Sequence, residues 1–329
     1  MIGRREFITL LGGIPAWPLA AHAQQPDRMR RVGFLLSTLP ADDPEGQARI
    51  TAFVQGLQQL GWTDGRNVRI AFRWGLGEAD RLNRSAAELV AQAPDVLLAG
   101  GTPALEALRQ ATRIVPIVFA NVQDPVGLGF VDSLARPGGN ATGFMSVEFG
   151  LSGKWLELLK GIAPQVMRVA VLRNAGFSGG IAALSAIQAV APSFGVELTP
   201  VGYRDADEIE RGVMAFARGP NDGLIVTGQL PQSRRNTIIV LAARHRLPAV
   251  YPFRGYVTEG GLISFGNDQA EPYRLAATYV DRILKGAKPA ELPVQTPTRF
   301  ETVLNLKTAK ALGLIVPPAL LTRADEVIE

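Results

Sequence analysis

Val96-Leu97-Leu98-Ala99-Gly100-Gly101-Thr102-Pro103-Ala104 is the stretch from which the fold of this chain can be read. Its four apolar residues, closed by two glycines, describe a short strand buried on both faces, because a half-exposed strand would alternate. Thr102 and Pro103 then open a helix, with Thr at the N-cap and Pro at the first helical position, where a missing N–H costs nothing. A strand that ends in glycine and passes at once into a helix leaves backbone N–H groups and the positive helix end at the carboxyl edge of a sheet. An anionic group, such as a ligand carboxylate, would fit there. The same residues also suit an ordinary capped turn between strand and helix.

The alternation extends in both directions from this point. Before it come a strand from Arg31 to Ser37, a helix from Glu45 to Leu60 with Ile50, Phe53, Val54, Leu57 and Leu60 on one stripe, a strand from Val68 to Arg73 and a helix from Ala79 to Gln92. After it come strands from Ile117 to Ala120 and from Ala141 to Met145. A second series follows: helix Lys154 to Ile162, strand Arg168 to Leu172, helix Ile181 to Phe194, strand Val196 to Val201, helix Ala206 to Ala217, strand Gly223 to Thr227, helix Arg234 to Arg246 and strand Ala249 to Tyr251. Strands that alternate with helices make parallel sheets covered on both faces, so two series predict an α/β protein of two doubly wound lobes.

Three elements remain: a strand from Gly261 to Phe265, a long helix from Gln269 to Leu284 and a strand from Phe300 to Leu306. They must join lobes already begun. Crossings near Met145, Gly266 and Pro293 would place 28–146 plus 267–292 in the first lobe and 147–266 plus 293–329 in the second. The result is a three-segment hinge with a cleft across it.

Composition limits the function. The chain has 329 residues, enough for about two domains, with 47% hydrophobic and 19% charged residues and a net charge of +4. Its basic residues are scattered among the acidic ones, with no basic stripe interleaved with aromatics, so no nucleic-acid partner is expected. Cysteine is absent, which excludes disulfides, zinc–thiolate sites, thiol nucleophiles and a lipid anchor on an N-terminal Cys. Neither a metal nor a cofactor is called for.

The first 23 residues read as an export address: basic Arg4-Arg5, an apolar middle, and Ala21-His22-Ala23 in the form of a cleavage site. Arg4-Arg5 with Glu6-Phe7-Ile8 is similar to a twin-arginine signal, with Gly3 where Ser or Thr is usual. Cleavage after Ala23 and residence in the periplasm are the expectation.

Candidate binding residues stand where strands meet the cleft. In the first lobe these are Ser37 and Thr38 as hydroxyl donors, then Gly101, Thr102 and Pro103, then Asn121 and Asp124 after the fourth strand, and Ser146 at the first crossing. Asp124 could meet a ligand ammonium or lock an Asx turn before Pro125. In the second lobe they are Arg173, Asn174, Gly228 and Gln229, with Tyr251 and Phe253 as aromatics able either to sandwich a flat ligand or to fill core. Asp268, past the second crossing, could reach an ammonium or cap the following helix. Enzyme readings find little support: after loss of the signal His245 is the sole histidine, flanked by Arg244 and Arg246, and no H-E-x-x-H or Walker A sequence occurs.

Several segments, taken in order, resemble one family. They are Val54-Gln55-Gly56-Leu57 with Leu60-Gly61, Gly101-Thr102-Pro103-Ala104, Pro116-Ile117-Val118-Phe119-Ala120 with Asp124-Pro125-Val126, Ser133-Leu134-Ala135-Arg136-Pro137-Gly138-Gly139-Asn140, and Asn305-Leu306-Lys307-Thr308-Ala309-Lys310-Ala311-Leu312-Gly313-Leu314. Together they resemble the ABC transporter substrate-binding proteins whose better understood members bind tryptophan or tyrosine. The resemblance implies a type I periplasmic-binding-protein fold, a small carboxylate-bearing ligand such as an amino acid or aromatic acid between the lobes, and an inner-membrane ABC permease as partner. A ligand-sensing receptor for a signalling or chemotaxis partner would use the same fold, and a Rossmann-type enzyme is the remaining alternative.

Overall fold

The structure is a computed structural model that describes residues 28–146, 149–175, 178–228, 230 and 232–329. The expected export signal and the candidate residue Gln229 lie outside the described residues.

The first series folds as β1 (Arg30–Leu36), α1 (Pro44–Gln59), β2 (Val68–Trp74), α2 (Ala79–Ala91), β3 (Val96–Gly100), α3 (Thr102–Ala111), β4 (Ile117–Val122) and β5 (Ala141–Met145). Its five strands pair in parallel in the order β2-β1-β3-β4-β5. Both faces are covered, as the unbroken apolar strands require. Val32, Phe34, Leu98 and Val118 face Phe53 and Leu57 of α1, while Leu35, Leu97, Ala99 and Phe119 face Leu89 of α2 and Leu105 and Leu108 of α3. Each of the Val, Leu and Phe side chains among them, fully buried, contributes roughly 1.5–3 kcal/mol. α1 starts where it does because Asp43 Oδ1 accepts from Gly46 N at 2.9 Å and Pro44 follows directly.

The second series is α4 (Gly153–Ile162), β6 (Arg168–Asn174), α5 (Ser178–Phe194), β7 (Glu197–Tyr203), α6 (Ala206–Phe216), β8 (Asp222–Val226), α7 (Gln232–Arg244), β9 (Ala249–Tyr251), α8 (Arg254–Thr258) and β10 (Ile263–Gly266). After it α9 (Glu271–Leu284) returns to the first sheet, where Tyr273, Ala276, Ala277 and Val280 complete the core against α1. β11 (Glu301–Asn305), α10 (Leu306–Ala311), α11 (Pro318–Arg323) and β12 (Glu326–Ile328) then complete a seven-stranded second sheet, ordered β12-β11-β10-β9-β8-β6-β7. Among the described residues no helix is long and apolar enough to cross a membrane.

The structure corrects three details of the sequence reading. The second sheet is not wholly parallel: β11 runs antiparallel to β10, with Gly266 opposite Glu301. β10 leaves this sheet for the other lobe at Gly266, and a strand that enters beside its neighbour's exit must run the opposite way. The third crossing, expected near Pro293, falls after Gln295, because Val294 packs in the first lobe's core and Gln295 N donates to Gly143 O at 2.9 Å beside β5. Finally, Thr102 does not cap α3. Gly101 is the N-cap, at φ +94°, and Thr102 Oγ1 instead accepts from Gln123 N at 3.2 Å, which ties the loop after β4 to the start of the helix.

Candidate functional site

The carboxyl edge of the first sheet carries a polar cluster under an apolar core. Ser37 N donates to Gly100 O at 3.0 Å, which brings its hydroxyl against the β3–α3 turn. A Cβ on Gly101 would stand 2.5 Å from Ser37 Oγ, and at φ +94° only glycine is comfortable there. Ser37 is buried and Thr38 half-buried beside it, whereas Pro103, the second residue of α3, is exposed. One strand along, Asn121 occupies a bulge in β4 at φ +57°, a conformation that is rare for non-glycine residues and found often at binding sites.

Hydrogen bonds fix which way the amides in this cluster face. Asn121 Nδ2 donates to Gln269 O at 2.9 Å, and Gln269 Nε2 donates to Asn267 Oδ1 at 3.2 Å. Both amide nitrogens are therefore engaged, and Asn121 Oδ1 and Gln269 Oε1 are buried with no hydrogen-bond partner. Ser146, whose N donates to Val122 O at 3.1 Å, holds a third such atom in its buried hydroxyl. Buried polar atoms are nearly always paired in folded proteins, so a group of unpaired ones at a crevice marks where a polar ligand would be satisfied.

A charged group lies beside them. Arg49 of α1 is 5% exposed, 5.8 Å from the Tyr273 ring, with its Nη2 3.6 Å from Glu45 Oε2. Burial raises the Tyr273 phenol pKa, and Arg49 and Asn121 beside it pull in the opposite direction. Glu45 Oε2 also accepts from Nη1 of Arg235 at 3.1 Å, an ion pair that reaches from α1 of the first lobe to α7 of the second. Arg235, 3% exposed, is held side-on by Glu259, with Nε to Oε2 at 3.2 Å and Nη2 to Oε1 at 2.5 Å. Burial alone would lower the Arg235 pKa, but its hydrogen bond and charge pairing with Glu259 and Glu45 outweigh this and raise it, so the guanidinium stays charged. A cavity of about 130 Å³ opens here between the lobes, lined by Glu45, Arg49, Arg235, Phe253, Tyr256 and Gln269 among others.

The remaining sequence-selected residues divide. Arg173 and Asn174 are the last two residues of β6, not loop residues beyond it, and Arg173 Nε is buried without a partner at that facing edge. Gly228 follows β8 at φ +94°, its carbonyl accepting from the Tyr256 hydroxyl at 3.2 Å, and Phe253 precedes α8 and lines the cavity. Tyr251 does not reach the cleft. Its ring stacks on Tyr256 at 4.9 Å and 17° inside the second lobe's core, because a strand residue in register with Ala249 points to the same face. Asp124 Oδ1 accepts from Gly127 N, three residues on, at 2.9 Å, which fixes the turn through Pro125, and Asp268 Oδ1 accepts from Ala270 N at 2.8 Å, an Asx turn just before α9.

Arg49 and Arg235 were not selected from the sequence, although a signal was present. Arg49 stands four residues before Phe53 on the apolar stripe of α1, and Arg235 three and four before Ile238 and Ile239 on that of α7. A charged residue on a buried stripe needs a partner, and each of these has a carboxylate in or beside the cleft. A second cavity, of about 290 Å³, lies against the hinge crossings, where Glu301 has its carboxyl pKa raised by burial and by Asp268, Glu326 and Asp325, partly offset by Arg254. Among the described residues no group of three or more His, Asp or Glu side chains is placed to hold a metal ion.

Comparisons with known proteins agree with this architecture. Residues 40–328 match the sequence model of the ABC transporter substrate binding protein family. A protein of Clostridioides difficile strain R20291 named "Tyrosine-binding protein" is 27% identical over 266 residues, 80% of this chain and 75% of the other. An ABC domain from Streptococcus pneumoniae, solved in complex with L-Trp, superposes with a TM-score of 0.83 at 26% identity, covering 91% of this chain and all of the other. The ligand-free, open structure of a substrate-binding protein with adhesive properties from Clostridium difficile, also 26% identical and covering 91% of this chain and 99% of the other, gives 0.71.

Proposed function

This chain belongs to the ABC transporter substrate binding protein family, and from that premise we propose that it is the exported receptor of an ABC import system, closing its two lobes on an amino acid with an aromatic side chain. The observation that carries the ligand class is the pair of buried, unpaired amide oxygens, Asn121 Oδ1 and Gln269 Oε1. Both can only accept, so the missing group is a donor, and an α-ammonium supplies three N–H bonds in the space of one atom. The relatives' ligands, tyrosine and L-Trp, are amino acids.

Binding proceeds without covalent chemistry. The ligand docks on the first lobe's crevice edge, where Ser37, the β3–α3 turn and Asn121 are already fixed, and the second lobe closes over it, adding contacts that exist only when shut. The higher likeness to the liganded structure and the Arg235–Glu45 bridge support reading these lobes as drawn together. Residues 1–23 serve as the export signal in this reading, and the mature receptor, without cysteine, moves free in the periplasm and presents both lobes to a permease.

Isothermal titration of the purified mature protein with L-tyrosine, L-tryptophan and the other proteinogenic amino acids tests the ligand class. Saturable binding of an aromatic amino acid is expected; absence of binding by every amino acid would refute it. Cell fractionation with mass spectrometry of the N-terminus tests export, with Gln24 expected as the first residue of the periplasmic form.

A further inference from the structure

We propose that Arg49 is the carboxylate anchor of the ligand site, seating a planar carboxylate on its side-on fork, Nε and Nη2. This rests on the reading of the cleft as an amino-acid receptor and adds which residue holds the acid end. Arg49 is 5% exposed and lines the cavity between the lobes, and both fork atoms are buried without a hydrogen-bond partner. The nearest acid, Glu45, stands 3.6 Å from Nη2, beyond hydrogen-bond reach. The same cleft shows what this fork does when filled: Arg235 uses the same two nitrogens, Nε and Nη2, to hold both oxygens of Glu259. Two parallel N–H···O bonds to a carboxylate are the strongest pairing a guanidinium makes, and a buried fork left empty is costly.

Charge balance narrows the ligand further. Arg49 and Arg235 face Glu45 and Glu259 and so balance, while Arg254 and Asp268, which also line the cavity, add one charge of each sign, so this part of the cleft is neutral before any ligand enters. A zwitterion preserves that neutrality, with its carboxylate on Arg49 and its ammonium toward Asn121 Oδ1 and Gln269 Oε1. An acid without the amine would leave an excess negative charge beside Glu45, and an amine without the acid would leave the fork empty. Phosphate and sulfate can also span the fork with two oxygens, but they carry a second charge toward Glu45.

The test is calorimetric titration of the full mature protein and of Arg49→Gln and Arg49→Lys with four probes: L-tyrosine, L-tryptophan, tyramine and 3-(4-hydroxyphenyl)propionate. Wild type is expected to prefer the amino acids over both truncated probes. Arg49→Gln should lose about a hundredfold or more for each carboxylate probe, with tyramine unaffected, because a desolvated charge pair is broken. Arg49→Lys, which keeps the charge opposite Glu45 but lacks the fork, should lose about tenfold or more. It carries the test if the Gln variant does not melt cooperatively. Unchanged affinity for the amino acids in either folded variant would overturn the proposal, as would wild-type binding of tyramine as tight as that of tyrosine. If wild type refuses every amino acid yet binds the propionate in an Arg49-dependent way, the amino-acid reading fails and the anchor stands. Binding of neither class of carboxylate would overturn the anchor together with that reading.

Discussion

Arg235 Nη1 stands 3.1 Å from Glu45 Oε2, so a guanidinium buried in one lobe grips a carboxylate at the first turn of a helix in the other. The two ends of this bridge are unequal. Arg235 is 4% exposed at its side chain and already neutralised by Glu259, whereas Glu45 is 31% exposed and free to hydrate when the lobes part. The bridge therefore adds a cross-lobe contact to the closed state without being needed by either lobe alone.

Glu45→Gln is accordingly expected to leave unfolding nearly unchanged, by less than about 1 kcal/mol, while weakening ligand affinity several-fold through the cost of closure. Small-angle scattering of the ligand-free protein should show a larger radius of gyration for the variant. An unchanged radius with unchanged affinity would remove the bridge from closure.

Arg235→Gln should behave in the opposite proportion. It strands Glu259, 17% exposed, and removes a donor from Leu230 O, so a loss of about 3–5 kcal/mol in chemical denaturation is expected. A loss no greater than that of Glu45→Gln would show that the Arg235–Glu259 pair is not structural.

Gly101→Ala places a Cβ 2.5 Å from Ser37 Oγ at a backbone φ of +94°. The strain predicts destabilisation of about 1–3 kcal/mol, together with weaker ligand binding as Ser37 is pushed aside. Equal stability by thermal melt would mean that the β3–α3 turn can relax at no cost.

Glu301 sets a pH dependence at the hinge. Burial first, then Asp268, Glu326 and Asp325, raise its carboxyl pKa above the ordinary value, against the pull of Arg254. A carboxyl that holds its proton more tightly folded than unfolded favours the fold below the ordinary glutamate value of about 4.3, and this contribution is lost as pH rises through the raised native value. Glu301→Gln should flatten that part of the melting temperature's pH profile. Parallel profiles for the two proteins would contradict it.

Much of the architecture was legible because it follows from local rules. The unbroken apolar run from Val96 to Ala99 with its glycine pair told of a doubly covered parallel strand, and the alternation of periods told of two such sheets. What was not legible depended on distant neighbours. Nothing local says that β11 enters beside the exit of β10, and so reverses, or that Tyr251 shares the inward face of Ala249. The crevice edges marked Ser37, Asn121 and Ser146 from strand ends alone. Arg49 and Arg235 stand on helices, away from any strand end, and their meaning lies in the carboxylates that the fold brings to them.

The chain path has a consequence for how the molecule comes into being. α9 belongs to the first lobe but is made after ten strands, and β11 is wedged beside β10 later still. During synthesis the first lobe lacks a wall of its core until Tyr273, Ala276, Ala277 and Val280 have emerged, and the second sheet keeps a raw edge at β10 until Glu301–Asn305 arrives. Neither half of the gene encodes a body that can finish folding by itself. The first lobe's core is complete only with α9 and the second sheet only with β11 and β12, so each lobe is finished by residues from Glu271 onward.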